Sequence, residues 1–268
     1  MGLVPAGGLA TRVAPLPLSK ELYPVGFSDR DGSPRPVVAC EGLLRAMAGA
    51  GAGVVYVVLG DGKWDIPSYL GDGARLGLDL AYLTISRSPG VPHSADRAHA
   101  HVRNATVLFG FPDIVFSDDD ALLRLRRRLV STGADAVLGL MRAERPESAD
   151  LVEATHGRVR RIRVKPVGAK AGLAWVLAAW GPRFTAHLHR QVAGVASQLP
   201  ELPELPELPE LPGLPELPGL PGGPELHMGH VLQSAVDTGL RIDAEQLRGG
   251  FTDIGTPEGL YRAVRGPR

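Results

Sequence analysis

An α/β fold with a largely parallel sheet is the architecture this sequence predicts, on three observations. Short apolar runs with the look of strands recur at 54–59, 78–83, 105–109 and 136–140. Helix-length segments separate them, and strands alternating with helices read as βαβ units. The chain has 268 residues, 44% of them hydrophobic, which is enough to bury one sizeable core.

Each element has its own signal. The first strand is expected at 2–5 and runs straight into Gly7 and Gly8, so the loop that follows sits at a strand's carboxyl end. Helices are expected at 36–48, 118–132 and 228–238, the second with Leu122, Leu123, Leu125 and Leu129 as its apolar stripe. Over 158–164 basic and apolar residues alternate, the pattern of a half-exposed strand. The basic run at 124–128 lies on an expected surface helix, where a solvated helix face explains it. From Pro200 to Pro221 proline recurs at every third position, with leucine before it and glutamate or glycine after. Helix and central strand both exclude such a run. Polyproline II, with three residues per turn, would sort it into three stripes spanning up to ~70 Å at ~3.1 Å per residue. We read it as an insertion at about 199–224 within a single domain spanning 1–268. The alternative is a docking strip for a proline-reading partner.

Composition excludes several classes of function. Lys and Arg number 29 and so do Asp and Glu, so no global field recruits nucleic acid or an anionic membrane, and small molecules are the expected partners. Cys40 is the only cysteine and lies in an apolar stretch, which fits a buried core residue in a reducing compartment. The N-terminal segment lacks the basic start of a signal peptide, and no run approaches the ~20 apolar residues of a membrane span. A cytoplasmic protein is expected. The histidine pairs His99 and His101, His187 and His189, and His227 and His230 lack the further ligands of a zinc spacing. Trp64, Trp175 and Trp180 are expected in the core or at its rim.

The chemistry concentrates in the segment after the first strand. Gly7 and Gly8 allow backbone N–H groups to approach phosphate oxygens, and Arg12 and Lys20 add fixed positive charge nearby. This is a phosphate cradle, but neither GxxxxGK[ST] nor GxGxxG occurs in it, so P-loop and dinucleotide readings lose their support. Lysine is scarce in the chain, and Lys20 and Lys165 both fall in motif-like contexts that favour a compact point charge.

The segment VPAGGLATRVAPLPLSKELYPVG, 4–26, resembles the signature loop of the sugar-phosphate nucleotidylyltransferases, especially the glucose-1-phosphate thymidylyltransferase branch. Thr11, Arg12, Pro15, Lys20, Leu22, Pro24 and Val25 carry the match. It continues at YLGDG (69–73), FGFPD (109–113), Lys165-Pro166 and FTDIGTPEGL (251–260), in the family's order along the chain. The resemblance implies a three-layer, Rossmann-like (GT-A type) nucleotidyltransferase fold with a mixed, mostly parallel sheet. It implies an enzyme that joins an NTP to a sugar 1-phosphate and releases pyrophosphate, with dTDP-glucose among the candidate products. The catalytic residues it implies are Arg12, Lys20 and Lys165, with nucleotide binding at Gly7, Gly8, Thr11 and Arg12. Mg²⁺ would be held by Asp113 and Asp253, since magnesium favours one or two carboxylates plus phosphate oxygens. The resemblance leaves room for a homo-oligomer. Two positions depart from the family pattern: Ala10 stands where a glycine is usual, and Val164 where a glutamate often precedes the Lys-Pro pair. No glutamine occurs in 84–91, the expected base-recognition segment. A catalytically weak sugar-nucleotide binding or regulatory protein on the same fold is the alternative.

Overall fold

A computed structural model describes residues 1–8, 10–30, 32–86, 88–196 and 226–265. Strand β1 (Gly2–Ala6) is followed by the hairpin β2 (Pro24–Arg30) and β3 (Ser33–Val38), then helix α1 (Ala39–Gly49). Next come β4 (Val54–Gly60), α2 (Asp65–Leu70), β5 (Asp79–Ile85) and the short helices α3 (Val91–Asp96) and α4 (His99–Val102). Strands β6 (Val107–Gly110) and β7 (Ile114–Phe116) precede α5 (Ala121–Thr132) and β8 (Ala136–Arg142). The hairpin β9 (Leu151–Thr155) and β10 (Arg158–Arg163) leads to β11 (Leu173–Trp180) and α6 (Pro182–Ala196). The chain ends with α7 (Met228–Asp237), β12 (Ile242–Gln246), β13 (Phe251–Asp253) and α8 (Pro257–Arg265). The proline repeat falls between α6 and α7, outside the described residues.

The expected strands at 2–5, 54–59, 78–83, 105–109 and 136–140 are β1, β4, β5, β6 and β8. The expected helix at 36–48 begins later, at Ala39, because 36–38 belong to β3, where Phe27 pairs with Pro36. Proline lacks the N–H a helix or central strand requires, and a two-stranded ribbon tolerates it.

The nine-stranded sheet has the order β5-β4-β1-β6-β11-β8-β12-β10-β9. Strands β5, β4, β1 and β6 are mutually parallel, and so are β8 and β12, while β11 runs antiparallel between the two blocks. Period-two alternation divides the strand residues between two faces. On one, Val4, Val55, Val57 and Val137 pack with Leu43, Leu44 and Met47 of α1 and Leu122 and Leu125 of α5. On the other, Leu3, Val58 and Leu138 pack with Val102 of α4, Phe184 and Leu188 of α6 and Val231 of α7. This is the expected three-layer, Rossmann-like arrangement of helix, mixed sheet and helix. Among the described residues no helix is long and apolar enough to cross a membrane.

Strand β1 has β4 on one side and β6 on the other, so the chain leaves it in one direction and later returns on the opposite flank. Such a switch point opens a crevice at the carboxyl ends of the strands, where open α/β sheets take ligands.

Candidate active site

Because β1, β4 and β6 are parallel neighbours, the segments that follow them emerge at one edge. Gly7 and Gly8 follow β1, and a Cβ at Gly60 would stand 2.7 Å from the Gly7 carbonyl oxygen, so β4 must end in glycine for the two chains to pass. Ala10 adopts the left-handed region at φ +54°, the conformation a glycine accepts without strain. The loop then returns through Ser19, whose N–H and hydroxyl both donate to the carboxylate of Asp65, each at 2.7 Å. Lys20, Glu21 and Leu22 form a 3-10 turn. Glu21 is buried and accepts from the Lys63 ammonium at 2.6 Å. Two anchors from the β4–α2 connection therefore fix the turn that carries Lys20.

The Lys20 ammonium donates to Asp113 Oδ2 at 2.6 Å and stands 3.8 Å from the point a Cβ of Gly8 would occupy. Burial alone would depress its pKa. The charge and hydrogen bond of Asp113, with Glu21 and Asp253 beyond, raise it instead, so the group stays charged.

Asp253 arrives on a separate two-stranded ribbon. Strand β13 pairs antiparallel with β7, setting Asp253 opposite Ile114, and the N–H of Ile254 donates to the Asp113 carbonyl at 3.0 Å. Gly255 N–H donates to Asp253 Oδ1 at 2.7 Å. A Cβ on Gly255 would meet Asp253 Oδ1 at 2.9 Å and both Arg12 Nη2 and Asp113 Oδ2 at 3.2 Å, so three charged side chains converge on one glycine. Burial, then the neighbouring Asp113, lifts the Asp253 carboxyl above its ordinary value, against the Gly255 N–H, Arg12 and Lys20.

Gly7, Gly8, Arg12, Lys20, Asp113 and Asp253 thus gather at one edge, with Thr11 in the exposed turn beside Arg12. Lys165 is exposed just after β10, and its charge acts on Asp150. Sequence reading passed over Glu21, Lys63, Asp65 and Asp150. Lysine's scarcity was the available signal for Lys63, but its partner Glu21 lies 42 positions away. A hollow of about 660 Å³ lies between Val25, Phe116, Thr252 and Tyr261. Arg12, Lys20, Asp113 and Asp253 do not line it.

Trp175 and Trp180 are buried and Trp64 is exposed. Cys40 is buried, and burial pushes its thiol far up, so this thiol is not a nucleophile. Among the described residues no three His, Cys, Asp or Glu side chains group to hold a metal. The paired carboxylates of Asp113 and Asp253 nevertheless fit a magnesium ion that draws its remaining ligands from phosphates and water.

The fold and the edge cluster define a class: Rossmann-like α/β proteins with a glycine turn, two cations and two carboxylates at the switch point. Comparison with known proteins agrees. No family model matches the chain. Glucose-1-phosphate thymidylyltransferase of Streptomyces antibioticus is 26% identical over 278 aligned positions, covering 98% of this chain and 65% of the relative. The protein of the same name from Streptomyces griseus is 30% identical over 179 positions, 65% of this chain and 47% of its own. The low-salt glycan biosynthesis nucleotidyltransferase Agl11 of Haloferax volcanii is 23% identical, covering 98% and 64%. The chain therefore spans about two thirds of these relatives' length or less. A Bacillus anthracis protein assigned as a glucose-1-phosphate thymidylyltransferase, solved with sucrose, superposes with TM-score 0.75 at 18% identity, covering 98% of this chain and 93% of that one. A UDP-glucose pyrophosphorylase complexed with UDP-glucose gives 0.70 at 17% identity, covering 98% and 96%. The chain is related in sequence to the sugar-phosphate nucleotidylyltransferases and shares the fold of their solved structures.

Proposed function

We propose that the protein is a sugar-1-phosphate nucleotidylyltransferase, joining an NTP to a sugar 1-phosphate with release of pyrophosphate. The observation that carries this reading is the convergence of Arg12, Lys20, Asp113 and Asp253 around Gly255, beside the glycine turn that ends β1. Phosphoryl chemistry of this kind asks for positioning and charge stabilisation more than for covalent work by the protein. The backbone N–H groups of Gly7 and Gly8 cradle phosphate oxygens, with Thr11 in the adjoining turn. Arg12 holds the departing phosphates through its planar fork. Lys20 counters charge on the reacting phosphoryl group, and Lys165 grips the sugar phosphate. Asp113 and Asp253 would hold Mg²⁺, which when bound neutralises charge on the phosphates. A thymidine nucleotide and glucose 1-phosphate are the first pair to try, given the relatives' names. The buried free thiol of Cys40 suits the reducing cytoplasm.

Pyrophosphate release, measured across five NTPs and a panel of sugar 1-phosphates with Mg²⁺, tests the reading. Turnover is expected with at least one pair. Asp113→Asn and Asp253→Asn should each abolish it while leaving the circular dichroism spectrum intact. Nucleotide-sugar binding without turnover for any pair would establish a binding protein instead, and near-native rates for either variant would remove that aspartate from the metal site.

A further inference from the structure

Asp150 immediately precedes β9, at a corner the reaction centre does not use. Leu151 pairs with Ala174, which pairs with Met141 near the carboxyl end of β8. Ala149 packs in a small apolar cluster with Phe251, two residues before Asp253, and Ala149 and Asp253 line a common cleft of about 70 Å³. Asp150 therefore directly follows a residue that shares a cleft with Asp253.

Its surroundings are unusual for a carboxylate. Burial pushes its pKa up, opposed by the neighbouring Trp175 indole and by the charges of His227, Lys165 and His230. A Cβ at Gly229, in the first turn of α7, would stand 2.6 Å from Asp150 Oδ2 and 2.7 Å from Val164 Cγ2. The Asp150 carboxylate and the Val164 side chain thus meet at one spot, against a helix that approaches only because its residue there is glycine. Lys165, next along, is held at φ +40°, a strained conformation for a side-chain-bearing residue. A carboxylate has about four acceptor sites, more than one neighbouring indole N–H can fill.

We infer that Asp150 is the residue that reads the hydroxyls of the sugar ring, with Lys165 beside it on the sugar's phosphate. The assignment rests on the nucleotidylyltransferase reading above. A cation and an acceptor-only group side by side match the two features of a hexose 1-phosphate, an anionic phosphate and a ring of hydroxyl donors. A site built to bond a substrate hydroxyl rejects the analogue that lacks it far more strongly than an apolar pocket discriminates by size.

Asp150→Asn keeps one acceptor oxygen and nearly the same volume. It should raise the KM for the sugar 1-phosphate tenfold or more, with the KM for NTP and the melting temperature almost unchanged. Asp150→Ala should show the same loss, and adding Val164→Glu to it should restore much of the sugar affinity, because the new carboxylate enters from the same spot. Among singly deoxygenated hexose 1-phosphates, one should be handled equally by wild type and Asp150→Asn. An unchanged sugar KM with a lowered melting temperature would show that Asp150 only braces Trp175 and α7, and would overturn the inference while leaving the enzyme reading intact. If wild type turns over no pair, the enzyme reading fails separately, and an NMR titration with glucose 1-phosphate decides on Asp150. Binding by wild type that is lost in Asp150→Asn supports the inference, and equal binding or none by either protein overturns it.

Discussion

Lys63 shows what a single residue contributes to the loop it supports. It is 8% exposed, and its ammonium meets a glutamate, Glu21, that is 1% exposed, with Glu21 Oε2 finding no hydrogen-bond partner among the described residues. Removing one member of a buried ion pair strands the other, at a loss of about 3–5 kcal/mol. Lys63→Met should therefore destabilise the protein by that amount in urea unfolding, and Lys63→Met with Glu21→Gln should recover most of it. Burial already lifts the Glu21 carboxyl above its ordinary 4.5, and loss of Lys63 lifts it further. The folded variant then holds a proton that the unfolded chain has released, so this contribution to stability is fully present below pH 4.5 and is lost as pH rises from there through the raised folded value. A variant that loses less than about 1 kcal/mol, with no such slope, would show the pair to be dispensable. Ala10 gives the opposite sign. Its φ of +54° costs an L-residue about 1–2 kcal/mol, part of which glycine's greater freedom in the unfolded chain offsets. Ala10→Gly should gain about 0.5–1 kcal/mol by the same measurement. No gain would mean that the turn relaxes around alanine.

Helix α8 shows how an element positions a site residue. It starts at Pro257, a favoured first helical residue, and Gly259 lies so close to the Asp253 carbonyl that a Cβ there would overlap it. Gly259→Ala should push β13 from β7, lowering magnesium-dependent turnover at least tenfold and weakening Mg²⁺ binding in a calorimetric titration. Unaltered magnesium affinity would mean that α8 yields instead. The Gly-Thr-Pro-Glu turn was legible in the sequence because proline and glycine act locally. The stripe of α5 was legible because Leu122, Leu125 and Leu129 recur at helical spacing, and all three are buried. Its arginines were misread as merely solvated. Arg124 pairs with Asp118 at 2.6 Å and Arg128 with Glu245 at 3.0 Å, tying α5 to the loop before it and to β12. Residue 245 is 117 positions from 128, and no local pattern reports such a pairing. The start of α1 was missed for a related reason: 33–38 are strand only because β2 lies alongside.

At the scale of the whole molecule, the site is assembled from segments far apart in the chain. Gly7, Lys20, Asp113 and Asp253 converge because parallel strands end at one edge, and sequence reading reached them through motifs whose order fits such a sheet. It could not reach Asp150, which belongs to no motif and acquires its surroundings only when β9, β11 and α7 come together. The same assembly bears on the proline repeat. One sheet face is covered by residues on either side of it: Phe184 and Leu188 of α6 pack in one cluster with Val231 and Leu232 of α7. These helices touch each other directly, so their contact does not depend on the length of chain between them. A longer connection raises the loop-closure cost only slowly, by about 0.6 kcal/mol per doubling. Replacing 199–221 with eight Gly/Ser residues should therefore shift stability by about 1 kcal/mol or less, and leave pyrophosphate release within twofold of the full chain. A melting temperature lowered by many degrees would show that the leucines of the repeat are buried against the domain. An unchanged melting temperature with lost turnover would place the repeat at the active site rather than between two helices.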